Sequence, residues 1–122
     1  MVRDAVDVIE RWHAAVNARD VPGVLALCQP DVEVGGPRGV AQGHDVMAAW
    51  LRRSGISLEP QEPLVAPAGR CLVRELARWR TTEDAPVQAP TEEPVETWVV
   101  FEVTDGLISA VRRYDTRDEV SD

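Results

Sequence analysis

The sequence predicts an α+β fold in which three N-terminal helices pack against an antiparallel sheet. Three observations carry this expectation. Apolar residues recur every three or four positions as far as Gly55, they alternate after it, and 122 residues suffice for one core but not two. Hydrophobic residues make up 44% of the chain and charged residues 28%, so neither a disordered nor a fibrous chain fits. Residues 1–122 are read as a single domain, with the polar segment 116–122 as a fraying end.

From Asp4 to Arg19 the positions Ala5, Val8, Ile9, Trp12, Ala15 and Val16 form one apolar stripe, while Asp7, Glu10, Arg11 and His13 take the other side. A second short helix starts at an Asp20 N-cap with Pro22 in its first turn, presents Val24, Leu25, Leu27 and Cys28, and stops at Pro30. Asp31 to Val34 alternates as a strand. Gly35-Gly36-Pro37-Arg38-Gly39 then makes a turn before a short extended piece at Val40 to Gln42. A third helix spans His44 or Asp45 to Arg53, with Val46, Met47, Trp50 and Leu51 on one face and Ser54-Gly55 as its stop. Ile56 and Leu58 begin an edge strand that Pro60 and Pro63 interrupt. Three longer strands follow: Arg70 to Thr82, Val95 to Val103 and Leu107 to Tyr114, the last two joined by a Thr104-Asp105-Gly106 hairpin loop. Between the first two of these lies Glu83 to Pro94, with three prolines and four acids, read as a long exposed loop and a candidate lid.

Alternation assigns faces. Cys71, Val73, Glu75, Ala77 and Trp79 point in, and so do Val95, Thr97, Val99, Phe101 and Val103. The outward sets place Arg74, Arg78 and Arg80 against Glu96 and Glu102, and each cross-strand pair of opposite charge adds roughly 0.2–1 kcal/mol. Trp98 falls on that outer face, where a large aromatic suits a subunit contact. In the last strand, Leu107, Ser109, Val111, Arg113 and Asp115 form one face and Ile108, Ala110, Arg112 and Tyr114 the other, and the pattern alone does not choose between them. If the first set points in, Glu75, Arg113 and Asp115 share the concave side with Trp12.

Thirteen Lys plus Arg against 21 Asp plus Glu give a net charge of −8, which repels nucleic acid and anionic membranes. No apolar run reaches the ~20 residues of a spanning helix, and Met1-Val2-Arg3-Asp4 does not begin a signal peptide, so the cytoplasm is the expected compartment. Cys28 and Cys71 lie in apolar surroundings without CxxC spacing and are expected as buried free thiols. His13, off the stripe, and His44, at a helix start, are expected in exposed or capping roles, and their spacing offers no metal site. No phosphate-binding loop, GxSxG elbow or cysteine nucleophile is present.

The stretches Val8-Ile9-Glu10-Arg11-Trp12, Ala14 to Asp20, Gly23 to Leu27 and Asp31 to Val34 resemble the first two helices and first strand of the nuclear-transport-factor-2-like superfamily, in its SnoaL-like and ketosteroid-isomerase-like branch. Gly43, then Gly106-Leu107-Ile108 leading to Tyr114-Asp115, resemble its later landmarks. The resemblance implies a strongly curved sheet, a conical barrel that wraps the long helix around an internal apolar pocket, and a homodimer formed through the outer sheet face, here at Trp98. It also places Trp12 where the isomerases carry their oxyanion tyrosine, Gly36 at their general-base aspartate, and Val99 near their protonated aspartic acid. All three groups are missing, so that mechanism is disfavoured.

What remains is a pocket walled by Trp12, Val34, Trp50, Val99 and Phe101, with Asp115, Glu75 and Arg113 as candidate catalytic residues. A carboxylate beside a guanidinium stays ionised and oriented, and a more desolvated one acts as an acid. Arg113-x-Asp115 is also similar to the arginine and aspartate of limonene-type epoxide hydrolases, although those sit on an earlier strand. The expectation is therefore a protein that binds a small, largely apolar molecule, as a cofactor-independent isomerase, cyclase or hydrolase without a metal. The alternatives are a non-catalytic ligand-binding module and a dimerisation unit whose pocket is filled by its own side chains.

Overall fold

The computed structural model describes residues 4–36, 39–79 and 93–120. Helix α1, Ala5–Asn17, buries Val8, Ile9, Trp12 and Val16 along one stripe. The chain turns through Arg19, whose φ is 59°, and starts α2, Val21–Ala26, at Asp20, whose carboxylate accepts the Gly23 amide at 3.0 Å. Helix α2 ends before Pro30, contrary to the expectation, because the chain already enters the sheet at Cys28. The Ile108 amide donates to the Leu27 carbonyl at 2.8 Å and His44 Nε2 to the Cys28 carbonyl at 3.1 Å. Pro30 thus lies within strand β1, Cys28–Gly36, in an irregular stretch between Cys28 and Glu33 where no ladder bond needs its missing N–H.

Strand β2, Gly39–Gln42, pairs with β1 and is exposed throughout. Helix α3, His44–Ser54, buries Met47, Ala48 and Leu51 and stops at Gly55, a left-handed cap with φ of 60°. Strands β3, Ile56–Pro60, β4, Arg70–Trp79, β5, Val95–Thr104, and β6, Leu107–Tyr114, follow in antiparallel order. The hairpin between β5 and β6 turns on Asp105 and Gly106, both at positive φ, as a two-residue loop matched to strand twist requires. Residues 83–92 of the proposed lid, and 80–82 at the expected end of β4, lie outside the described residues.

The sheet is mixed rather than wholly antiparallel, in the order β2-β1-β6-β5-β4-β3, because β1 runs parallel to β6. The whole chain between them supplies the crossover, so no hairpin fixes their direction. With β2 and β3 left as separate edges, the sheet is curled but not closed. One cluster fills the hollow: Val8, Ile9, Trp12 and Val16 from α1, Met47 and Leu51 from α3, and Val73, Ala77, Val99, Phe101 and Val111 from the sheet. Burying each large side chain contributes roughly 1.5–3 kcal/mol.

Neither face of β6 points in along its whole length. Ser109 is an extra residue between the pairs Glu102–Ala110 and Val103–Ile108, and its hydroxyl donates to the Glu102 carbonyl at 3.1 Å. This bulge reverses the alternation, so Ile108 before it and Val111 after it both join the core. Beyond β6, a 3-10 turn at Arg117–Glu119 is held by a Thr116–Glu119 capping box, and Val120 is buried.

Candidate functional site

Glu75 is the centre of the site. Its place in β4, two residues from Val73 and from Ala77, turns it into the hollow, where no part of it is exposed. Its Oε1 lies 2.6 Å from Nε2 of His13, and His13 Nδ1 lies 2.8 Å from the Ile9 carbonyl one helical turn earlier. A carbonyl only accepts, so Nδ1 carries a hydrogen. One proton then remains for the Nε2–Oε1 contact, whichever atom holds it. Each side chain thus faces a partner rather than standing alone in the interior, where an uncompensated charge is costly. Glu75 Oε2 and the Trp12 indole Nε1 are buried without a hydrogen-bond partner.

His13 corrects the sequence reading, which set it on the exposed face of α1: it is buried, at 5% exposure. The signal was its spacing, since position 13 follows Ile9 by four and precedes Val16 by three, both core positions. An inward carboxylate at position 75 needed a partner of this kind. His44, expected to be exposed or capping, is half-buried and ties α3 to Cys28.

Arg113 and Asp115 come together, but away from Glu75. Arg113 Nη1 donates to Asp115 Oδ1 at 3.0 Å and to Thr97 Oγ1 at 3.2 Å, and its guanidinium carbon sits 5.5 Å from the centre of the Trp79 ring. Thr97, which alternation turned inward without marking it as a site residue, is 1% exposed, donates to the Tyr114 carbonyl at 2.8 Å, and is the register partner of Glu75. A polar track thus runs along the concave face from the enclosed Glu75, past Thr97, to Arg113 and to Asp115, whose side chain is 62% exposed.

Aromatic rings form the apolar surroundings. Trp12 stacks on Trp50 at 5.9 Å, meets Phe101 edge-on at 5.1 Å, and lies 5.2 Å from the His13 ring. Trp12, Phe101 and Val99 are core, whereas Val34 and Trp50 are half-buried against it. Since Trp12 and Phe101 expose nothing, no water-sized void adjoins them. Among the described residues, grooves of about 420 and 450 Å³ open on the outside, one along Asn17, Leu58, Pro60 and Leu76, the other between α1 and α2. Neither reaches Glu75.

Cys28 and Cys71 are buried free thiols, and burial pushes the Cys28 thiol up to about 12. Among the described residues no three His, Cys, Asp or Glu side chains gather as metal ligands, and no helix is long and apolar enough to cross a membrane.

Solved structures share this architecture. An epoxide hydrolase/cyclase-like enzyme, SalBIII, of pyran ring formation in salinomycin superposes with a TM-score of 0.76 at 16% identity, covering 94% of this chain and 92% of that one. An M. tuberculosis epoxide hydrolase of the LEH-like kind gives 0.69 at 23% identity, with 90% and 80% covered. An NTF2-like protein of unknown function from Cytophaga hutchinsonii gives 0.73 at 10% identity, with 93% and 90% covered. At these identities the likeness is one of fold. No curated protein matches the sequence. The model of the SnoaL-like domain matches residues 9–111, from the first core turn of α1 to the inward Val111 of β6, and the chain belongs to that family.

Proposed function

We propose that the protein is a cofactor-independent acid–base enzyme, of the isomerase, cyclase or hydrolase sort, acting on a small, largely apolar molecule through Glu75 with His13 as its partner. The observation that carries this reading is the His13–Glu75 pair, closed off from solvent at 2.6 Å with one carboxylate oxygen left unpaired. Enclosing such a pair costs several kcal/mol of desolvation per ion-forming group, and two well-packed apolar side chains serve a purely structural core better. A desolvated carboxyl with a proton store beside it suits general acid–base work. Arg113 and Asp115 stand at the solvent end of the polar track and orient charge there. The cyclase-like and hydrolase names of its structural neighbours agree with this class of chemistry.

The test uses Glu75→Gln, an isosteric change, with limonene oxide and a ketosteroid as first substrates. Turnover should fall at least a hundredfold while the cooperative unfolding transition is retained. A variant as active as the parent ends the assignment.

The rival reading is a non-catalytic binding or dimerisation module, and the closed interior around Trp12 and Phe101 favours it. Under it, neither substrate turns over and the Glu75→Gln protein keeps its cellular role. We also propose that two copies pair through the outer sheet face, where Trp98 stands opposite Tyr114 and between the ion pairs of Arg74 with Glu96 and Arg112 with Glu102.

A further inference from the structure

Arg113 stands where the concave face of the sheet opens to solvent. It pairs in register with Val99, two residues beyond the core residue Val111, so its side chain follows the inward set but lies past the packed interior, at 25% exposure. Three groups fix its direction. The Thr97 hydroxyl spends its one hydrogen on the Tyr114 carbonyl at 2.8 Å, so only its oxygen is left, and it accepts from Arg113 Nη1 at 3.2 Å. The half-buried Trp79 ring has the guanidinium carbon 5.5 Å from its centre, and Asp115 accepts from Nη1 at 3.0 Å. The Asp115 side chain is 62% exposed, and an ion pair that open to water holds weakly.

Both hydrogen bonds of the guanidinium fall on Nη1. Nε and Nη2, which form another edge of the same planar group, make no hydrogen bond or ion pair among the described residues. On that edge Nε–H and one Nη2–H point the same way and match the two oxygens of a carboxylate, a geometry that an ammonium does not offer. We infer that this edge of Arg113 is a subsite for the carboxylate of a small monocarboxylic acid whose apolar body rests against Trp79. The single charge follows from the surroundings, because a chain of net charge −8, with Asp115 already on Nη1, repels phosphate and other multivalent anions more than a monoanion. The apolar body follows from the aromatic ring beside the fork. The inference concerns binding at the solvent end of the polar track, goes beyond the acid–base reading of Glu75, and stands whether or not that reading does.

The experiment titrates the full chain with phenylacetate, with phenylacetamide, which has nearly the same shape without the charge, and with inorganic phosphate, following heat and the Arg113 Nε–H resonance. Phenylacetate should bind at least about tenfold more tightly than either of the others and shift that resonance. Arg113→Lys, which keeps the charge and loses the fork, should weaken phenylacetate about tenfold. The resonance is read in the parent protein, so the result does not depend on how the variant folds. Equal binding of phenylacetate and phenylacetamide, or of phenylacetate and phosphate, overturns the subsite. So does phenylacetate binding that leaves the Arg113 resonance unmoved or persists at full strength in Arg113→Lys, and so does the absence of any phenylacetate binding.

Discussion

Glu75 and His13 each make sense only through the other, and that sets the energetics of changing them. Glu75→Ala strands the imidazole in an apolar interior and should cost about 3–5 kcal/mol in urea unfolding, whereas the double change His13→Phe with Glu75→Met should be neutral or stabilising. A double variant as unstable as the single one contradicts this account. Sequence alternation alone turned Glu75 inward, which the structure matches, but the spacing of His13 from Ile9 and Val16 put it only at the edge of the helical stripe, where neighbours across the core decide burial. Those neighbours lie sixty-two positions away. Cys28 carries a second consequence at this scale. Its folded-state value is raised from 9.0 to about 12, so in the unfolded chain it ionises first and stability is lost as pH rises between those values. Cys28→Val should flatten that alkaline decline in urea midpoints measured at pH 9 and pH 11. An unchanged slope means that the thiol is more open than its burial indicates.

Among the elements, the helices and hairpin were readable because their signals are local: the Asp20 cap with Pro22, the Gly55 stop and the Asp105-Gly106 turn all stand where the sequence set them. What sequence did not show was long-range. The parallel seam of β1 with β6 and the Ser109 bulge depend on which strand lies beside which, and a bulge defeats any reading that assumes one face per strand. Gly69, the last residue of the 3-10 turn at Pro67–Gly69 before β4, supplies a test of packing between elements. Its φ is 77°, and an added Cβ would stand 2.5 Å from the Val103 carbonyl oxygen. Gly69→Ala should therefore cost more than the ~1–2 kcal/mol of the left-handed backbone alone, read from denaturant midpoints. A cost below that figure shows that the turn moves away from β5.

For the molecule as a whole, the SnoaL-like domain over residues 9–111 fixes the family, and membership does not fix a reaction. The expected cone is a curled, open sheet whose interior is occupied by Trp12, Phe101 and their neighbours, so admitting a guest requires motion. Assembly is the other property at this scale. Trp98→Glu places a charge in the middle of the proposed contact and should convert a sedimenting dimer to monomer at equal protein concentration, without loss of helix content. A persistent dimer locates the contact elsewhere.

The end of α1 bears on how the sheet ends at β3. Asn17 donates to the Leu58 carbonyl and accepts the Leu58 amide, both at 2.9 Å, and so occupies the outward backbone groups of Leu58, in the middle of the edge strand β3. A stray strand seeking to lengthen the sheet meets no open rung there. At this one of the sheet's two edges the middle rung is thus closed by a single amide side chain, on the helix that also carries the buried histidine.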